Sequence, residues 1–274
     1  MKKIILISFI IFSVVAFSEE EVENKNNKEK KKNYSFSLGG MVGYSSNLYH
    51  KDKNNVRALP ILSAKYKDIY LLGSEIGYKK QVSPRVTLTG FTQLFGGITL
   101  QGVGAAIGGT QLNNSDMEDG YRAIDDRKTQ IEFGIKMEYQ ADIPTLKLEV
   151  EGRGGERGGS GKVTISRVYT VTPKFLLIPQ VNFTLMGKNM TNYYFGISEE
   201  EVKRENNDKL VRVYDTNKIA YATGIGIVGK YYITEKFSVF GLTEYQYVSD
   251  EIGNSDIVDS RGNYYVGVGL SYDF

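Results

Sequence analysis

The chain has 274 residues, is 41% hydrophobic, is rich in Gly (30) and Tyr (20), and contains neither Cys nor Trp. Zero Cys excludes a disulfide framework, a Cys-based zinc site and a lipoprotein anchor. The formal charge of +2 includes Lys2 and Lys3; the remaining 32 basic and 32 acidic residues balance, so no positive field points to nucleic acid.

Residues 1–18 read as a secretory signal peptide. Lys2 and Lys3 supply the positive start, Ile4–Val15 the apolar stretch, and Ala16-Phe17-Ser18 the small residues of a cleavage site before Glu19. No other stretch approaches the roughly 18 apolar residues that a spanning helix needs. A later encounter with a membrane therefore requires a closed barrel. Residues 19–32 (EEEVENKNNKEKKK) are almost all polar or charged and read as a disordered periplasmic tether.

From residue 33 to 274 the pattern changes to a period of two. Tyr34, Phe36, Leu38, Gly40, Val42 and Tyr44 share one face of the first segment, with Ser and Gly on the other. Segments Ala58–Tyr66 and Ile69–Tyr78 follow. Further on, Ile131, Phe133, Ile135, Met137 and Tyr139 oppose Gln130, Glu132, Lys136 and Glu138, while Leu146, Leu148 and Val150 oppose Lys147, Glu149 and Glu151. Later apolar faces run from Phe175 to Leu185, Ile219 to Ile227 and Phe237 to Tyr247.

A soluble sandwich or lipocalin would alternate in the same way. Two features favour a membrane barrel. Tyr34, Tyr44, Tyr66, Tyr78, Tyr139, Tyr169, Tyr231, Tyr245, Tyr247 and Tyr264 gather near strand ends, as an interfacial girdle requires. Then Tyr264, Val266, Val268, Leu270, Tyr272 and Phe274 alternate to the last residue. That ending resembles the C-terminal strand that outer-membrane assembly machinery recognises.

Tight connections at Gln81–Pro84, Asp142–Pro144, Thr172–Pro173 and Thr234–Glu235 alternate with long ones at Gly96–Arg127, Gly152–Gly161, Gly187–Asn217 and Ser249–Gly262. Short periplasmic turns and long extracellular loops behave so, which puts the C-terminus on the periplasmic side. A simple count gives an odd number of strands, whereas single-chain bacterial barrels have an even one. A hidden turn near Gly73-Ser74 gives about 12; merging two short segments would give 10. The expectation is an all-β, closed antiparallel transmembrane barrel over residues 33–274, with Gln93, Gln130, Lys136, Glu138, Lys147, Glu149 and Glu151 facing its lumen.

No residue reads as catalytic or metal-binding. His50 is the single histidine and lies in a loop, where solvation is the commoner fate than service as a base. Acidic loop residues (Asp116, Glu118, Asp119, Asp125, Asp126 and Glu199 to Glu201) match no EF-hand spacing. The run Gly152 to Gly161 lacks the Lys-Ser/Thr of a phosphate loop and reads as a flexible loop; Gly102-Val103-Gly104 lacks the third glycine of a dinucleotide fingerprint. No cofactor is implied.

Several stretches together resemble the MipA/OmpV family of outer-membrane proteins, the MltA-interacting scaffolding proteins. They are Leu38-Gly39-Gly40-Met41-Val42-Gly43-Tyr44, Ala58-Leu59-Pro60-Ile61 and Ile124-Asp125-Asp126 leading into Gln130–Gly134. To these add Ser255–Val258 and Tyr272-Asp273-Phe274. The most specific is Pro179 followed by Tyr193-Tyr194-Phe195-Gly196. One of the family's paired prolines is replaced near Pro60, and Asp256 stands where the family has Pro. The resemblance implies a non-enzymatic barrel in the cell outer membrane that scaffolds murein synthesis and hydrolysis. Its implied partners are a lytic transglycosylase and a penicillin-binding protein; the barrel reading itself adds outer-membrane lipid and the assembly machinery, and residues 19–32 with the neighbouring periplasmic turns are expected to contribute to any scaffolding. A small-solute channel and an adhesin acting through the long loops are the alternatives.

Overall fold

A computed structural model of the chain describes residues 33–51, 56–97, 112–143, 145–204 and 211–274. The expected signal peptide and tether lie outside the described residues. The strand segments are β1 (Tyr34–Ser45), β2 (Val56–Tyr66), β3 (Ile69–Leu72), β4 (Glu75–Gln81), β5 (Val86–Gly96) and β6 (Gln130–Gln140). They continue as β7 (Leu146–Gly155), β8 (Gly158–Arg167), β9 (Tyr169–Thr172), β10 (Phe175–Met186), β11 (Ala220–Tyr232), β12 (Phe237–Val248) and β13 (Gly262–Asp273). Among the described residues three short α-helices sit in the connections: α1 (Lys188–Phe195), α2 (Glu199–Val202) and α3 (Asp250–Gly253).

The strands pair antiparallel around a ring that β1 and β13 close. β8 and β9 lie end to end along one edge of β10, so the thirteen segments make twelve staves. Their interruption has a physical cause. In the register that β8 and β9 share, Pro179 of β10 stands opposite Arg167, and proline has no N–H to complete that rung.

The even count depends on Gly73-Ser74. Leu72 pairs with Glu75 across that two-residue turn, and Gly73 takes φ 56°, a conformation that favours glycine. β3 is consequently short and covers β2 only from Ser63 to Tyr66. Among the described residues the upper part of β2 pairs with β1 alone, and Pro60 lies on that stretch, where a missing donor costs least.

The expectation of a long flexible loop over Gly152–Gly161 is overturned. β7 and β8 stay paired from Gly152↔Gly161 to Gly155↔Gly158, leaving Glu156-Arg157 as a tight extracellular turn. Glycines concealed the strands because they supply no apolar alternation to read. They have a packing role instead: Gly158, at φ 109°, lets α1 approach so closely that a Cβ there would lie 2.7 Å from the Met190 amide nitrogen.

Each stave sends one row outward and the next inward. The outward rows are apolar and exposed, for example Phe133, Ile135, Val181, Ile225, Val266 and Val268, with tyrosines toward both ends. Hydrocarbon satisfies such a surface, and the closed ladder leaves almost no backbone polar group for it to meet. Inward rows pack by laying large rings over glycines of the adjacent stave: Phe240 over Gly269, Phe91 over Gly134, Tyr265 over Gly43. A Cβ at position 269 would fall on the Phe240 ring and within 2.6 Å of the Gly40 carbonyl oxygen. Gly269→Val should therefore destabilise the barrel by about 1–3 kcal/mol. The check is the temperature at which the folded band converts to the unfolded one in unboiled gels; an unchanged midpoint would count against this packing.

Candidate functional site

The interior is divided by chemistry. On the β10–β13 and β1–β2 side, Met41, Ile61, Ile178, Val228, Phe240 and Leu242 form an apolar cluster. On the β4–β8 side the inward rows carry charge, and the staves interleave opposite signs. Tyr70 donates to Glu75 at 2.5 Å. Lys136 donates to both Glu75 oxygens at 2.8 Å, reaches Glu151 at 3.4 Å, and lies 4.4 Å from the centre of the Phe91 ring. Arg153 bridges Glu151 and Glu132, each at 3.4 Å. Gln130 donates to Glu132 at 2.8 Å and accepts from the Arg157 amide at 2.7 Å.

Toward the periplasmic end, Lys79 donates to both Glu138 oxygens at 2.9 Å, and Lys147 lies 3.2 Å from Glu138 and from Glu149. Gln93 donates to Ser74 at 2.5 Å. The structure thus places Gln93, Gln130, Lys136, Glu138, Lys147, Glu149 and Glu151 on inward rows, all buried. Buried charges persist only when paired and hydrogen-bonded, and these form a ladder of two paired groups, one around Lys136 and Arg153 and one around Glu138.

Glu75, Lys79, Glu132 and Arg153 complete the ladder without having been singled out in the sequence. Glu132 shares a period-two row with Gln130 and Lys136, which could have identified it. Arg153 continues the row of Lys147, Glu149 and Glu151, but the supposed loop cut that row short. Glu75 and Lys79 fall on an inward row only once the turn at Gly73-Ser74 is in place. Across the barrel, Asn182 donates to Glu244 at 2.8 Å over the bare backbone of Gly224.

The extracellular mouth is covered by a second buried cluster assembled from the loops: Leu48, Tyr49, Leu112, Met117, Ile124, Met190, Ile197, Ile252 and Ile257 among others. The Tyr193-Tyr194-Phe195-Gly196 segment ends α1 and holds this cap together. Phe195 stacks on Tyr49 with ring centres 5.6 Å apart, and its carbonyl accepts from Ser255 at 2.6 Å. Tyr194 donates to the Lys128 carbonyl at 3.1 Å, while Tyr193 accepts from the Lys128 amide at 3.0 Å and lies under the Arg157 guanidinium. Pro179 is remote from these residues, on the outer wall of β10.

Arg127 ties the cap to α2. It donates to the Gly196 carbonyl at 2.9 Å and to Glu201 at 2.7 Å. Burial alone would raise the Glu201 carboxyl, but the Ser198 and Asp125 amides, at 2.7 and 2.8 Å, together with Arg127, hold it below the ordinary carboxylate range. Ser198 accepts from the Glu201 amide in return, completing a capping box. The Arg212 guanidinium likewise keeps Asp256 low. His50 stacks on Tyr121 at 4.3 Å, with Glu118 and Asp259 at 3.4 and 3.7 Å. Among the described residues no group of three or more His, Asp or Glu could hold a metal ion.

Comparison with known proteins places this geometry in a lineage. A family model described as "MltA-interacting protein MipA" matches residues 38–274. The chain is 28% identical to a "24 kDa outer membrane protein" of Pasteurella multocida (strain Pm70), over 88% of this chain and 93% of that one. It is 22% identical to the "MltA-interacting protein" of Escherichia coli (strain K12), over 87% and 90%. Among solved structures, an outer membrane channel from Pseudomonas putida F1 aligns with TM-score 0.44 and 9% identity, covering 93% of this chain and all of that one.

Proposed function

The chain belongs to the MipA family of outer-membrane β-barrels, and from that premise we propose that it is a closed, non-enzymatic scaffold that presents its periplasmic side to enzymes building and cutting the cell wall. The observation that carries this reading is the interior. A twelve-stranded ring can hold a solute path, yet the described inward side chains of β4–β8 join one another across the staves, and a folded cap lies over the outer mouth. Such an interior rigidifies an anchor. The partner class follows from the E. coli relative, which is named MltA-interacting protein. Residues 19–32, which precede β1 in the sequence, are assigned to the capture of partners.

Two measurements test this. The purified chain in a planar bilayer is expected to show no steady conductance; sustained ohmic current would overturn the closed reading in favour of a channel. Immobilised barrel is expected to retain a purified lytic transglycosylase, and a variant lacking residues 19–32 to retain less. Absence of any retention would sink the scaffold, and undiminished retention by the shortened chain would remove the tether from it.

A further inference from the structure

Among the described strand residues, the outward rows hold only two charged side chains. One is Lys80, which has Asp68 at 3.7 Å. The other is Arg167, which continues the outward row of Val163 and Ile165 on β8. Its position along the wall is set by pairing: Arg167 stands opposite Leu146, the first residue of β7 after the periplasmic turn at 141–145. The stave runs on through β9 to the turn at Pro173-Lys174, so the side chain leaves the periplasmic half of the wall just above the girdle Tyr169, from where a long arginine snorkels to the interface at small cost.

Among the described residues, the surroundings of Arg167 supply cation–π support and no anion. Its guanidinium carbon lies 4.9 Å from the centre of the Tyr169 ring, an exposed girdle residue two positions on. Its Nε is shielded from solvent and has no hydrogen-bond partner among the described residues. Opposite it on β10 is Pro179, which contributes no donor or acceptor side chain. An aromatic face beneath a guanidinium fixes the plane of the fork, and that fork matches two oxygens of one phosphate.

We propose that Arg167, seated on Tyr169, is a binding site for the phosphate of a phospholipid in the periplasmic leaflet. The ligand class follows from three features: the site opens to lipid, its long side chain reaches toward headgroup depth, and it offers a bidentate cation without a counter-charge among the described residues. The lipid is chosen over a free ion because the flanking outward surface (Ile165, Leu146, Tyr169) is apolar and suits acyl chains. The site is independent of the scaffold reading, since it depends on neither the cap nor any periplasmic protein.

Native mass spectrometry of the full detergent-purified barrel, titrated with phosphatidylglycerol, tests it. Wild type should hold one lipid about tenfold more tightly than Arg167→Gln, with Arg167→Lys between them and Lys80→Gln like wild type. A phosphate-free glycolipid should show no preference between wild type and Arg167→Gln, and millimolar inorganic phosphate should displace little lipid. Equal phosphatidylglycerol binding by wild type and Arg167→Gln would overturn the proposal. So would equal discrimination with the glycolipid, while full displacement by inorganic phosphate would reduce the site to one for an adventitious ion only. Unchanged heat-modifiable mobility of Arg167→Gln shows that the comparison is between folded barrels.

Discussion

Lys136→Met should lower the unfolding free energy of the barrel by about 3–5 kcal/mol, the loss expected when one member of a buried ion network is removed and its partners remain. The lysine amine touches both oxygens of Glu75 and approaches Glu151, and all three residues are buried. Methionine fills a similar volume, so the loss reads uncompensated carboxylates rather than a cavity. Equilibrium unfolding in urea from lipid vesicles measures it. The double variant Lys136→Met, Glu75→Gln separates the two contributions, because neutralising Glu75 removes one stranded charge and should recover a sizeable part of the loss. A single variant within about 0.5 kcal/mol of wild type would mean that the ladder is solvated and the interior open.

Acid should release the extracellular cap while the barrel wall stays intact. The Glu201 carboxyl is held low in the folded cap, so its contribution to stability is fully present above the ordinary carboxylate value, about 4.3. That contribution is lost as pH falls through the depressed folded value. Protease sensitivity of the loops should accordingly stay flat from neutral pH down to about 5 and rise below the ordinary glutamate range. Glu201→Gln should abolish this transition. Glu201→Ala should expose the loops even at neutral pH, since Arg127 would be left buried without its carboxylate, at a cost of about 3–5 kcal/mol. Loops that remain protected in Glu201→Ala would show that the apolar cluster alone holds the cap.

How far the sequence reveals all this depends on what each residue has to do. Outward rows are legible because lipid demands an unbroken apolar surface, so Ile131 to Tyr139 and Tyr264 to Phe274 alternate without exception. The twelve-fold count is legible through parity, and the position of the odd turn through Gly73. Gly152 to Gly161 failed because a strand that packs by closeness carries no side-chain signal. The cap is the least legible part. Tyr49, Met117, Tyr194 and Ile257 come from four separate connections, and nothing in the spacing of any one loop announces that they meet.

The pairing of Ser37 with Asp273 and of Tyr44 with Val266 has a kinetic consequence. This seam joins residues more than two hundred positions apart, whereas nearly every other rung joins neighbours along the chain. Local hairpins can form early at little entropic cost, but the ring stays open, with two bare edges, until its final stave arrives. Chain entropy therefore concentrates in one late step, and any factor that receives the last strand and presents it to the first would govern the rate at which the protein matures.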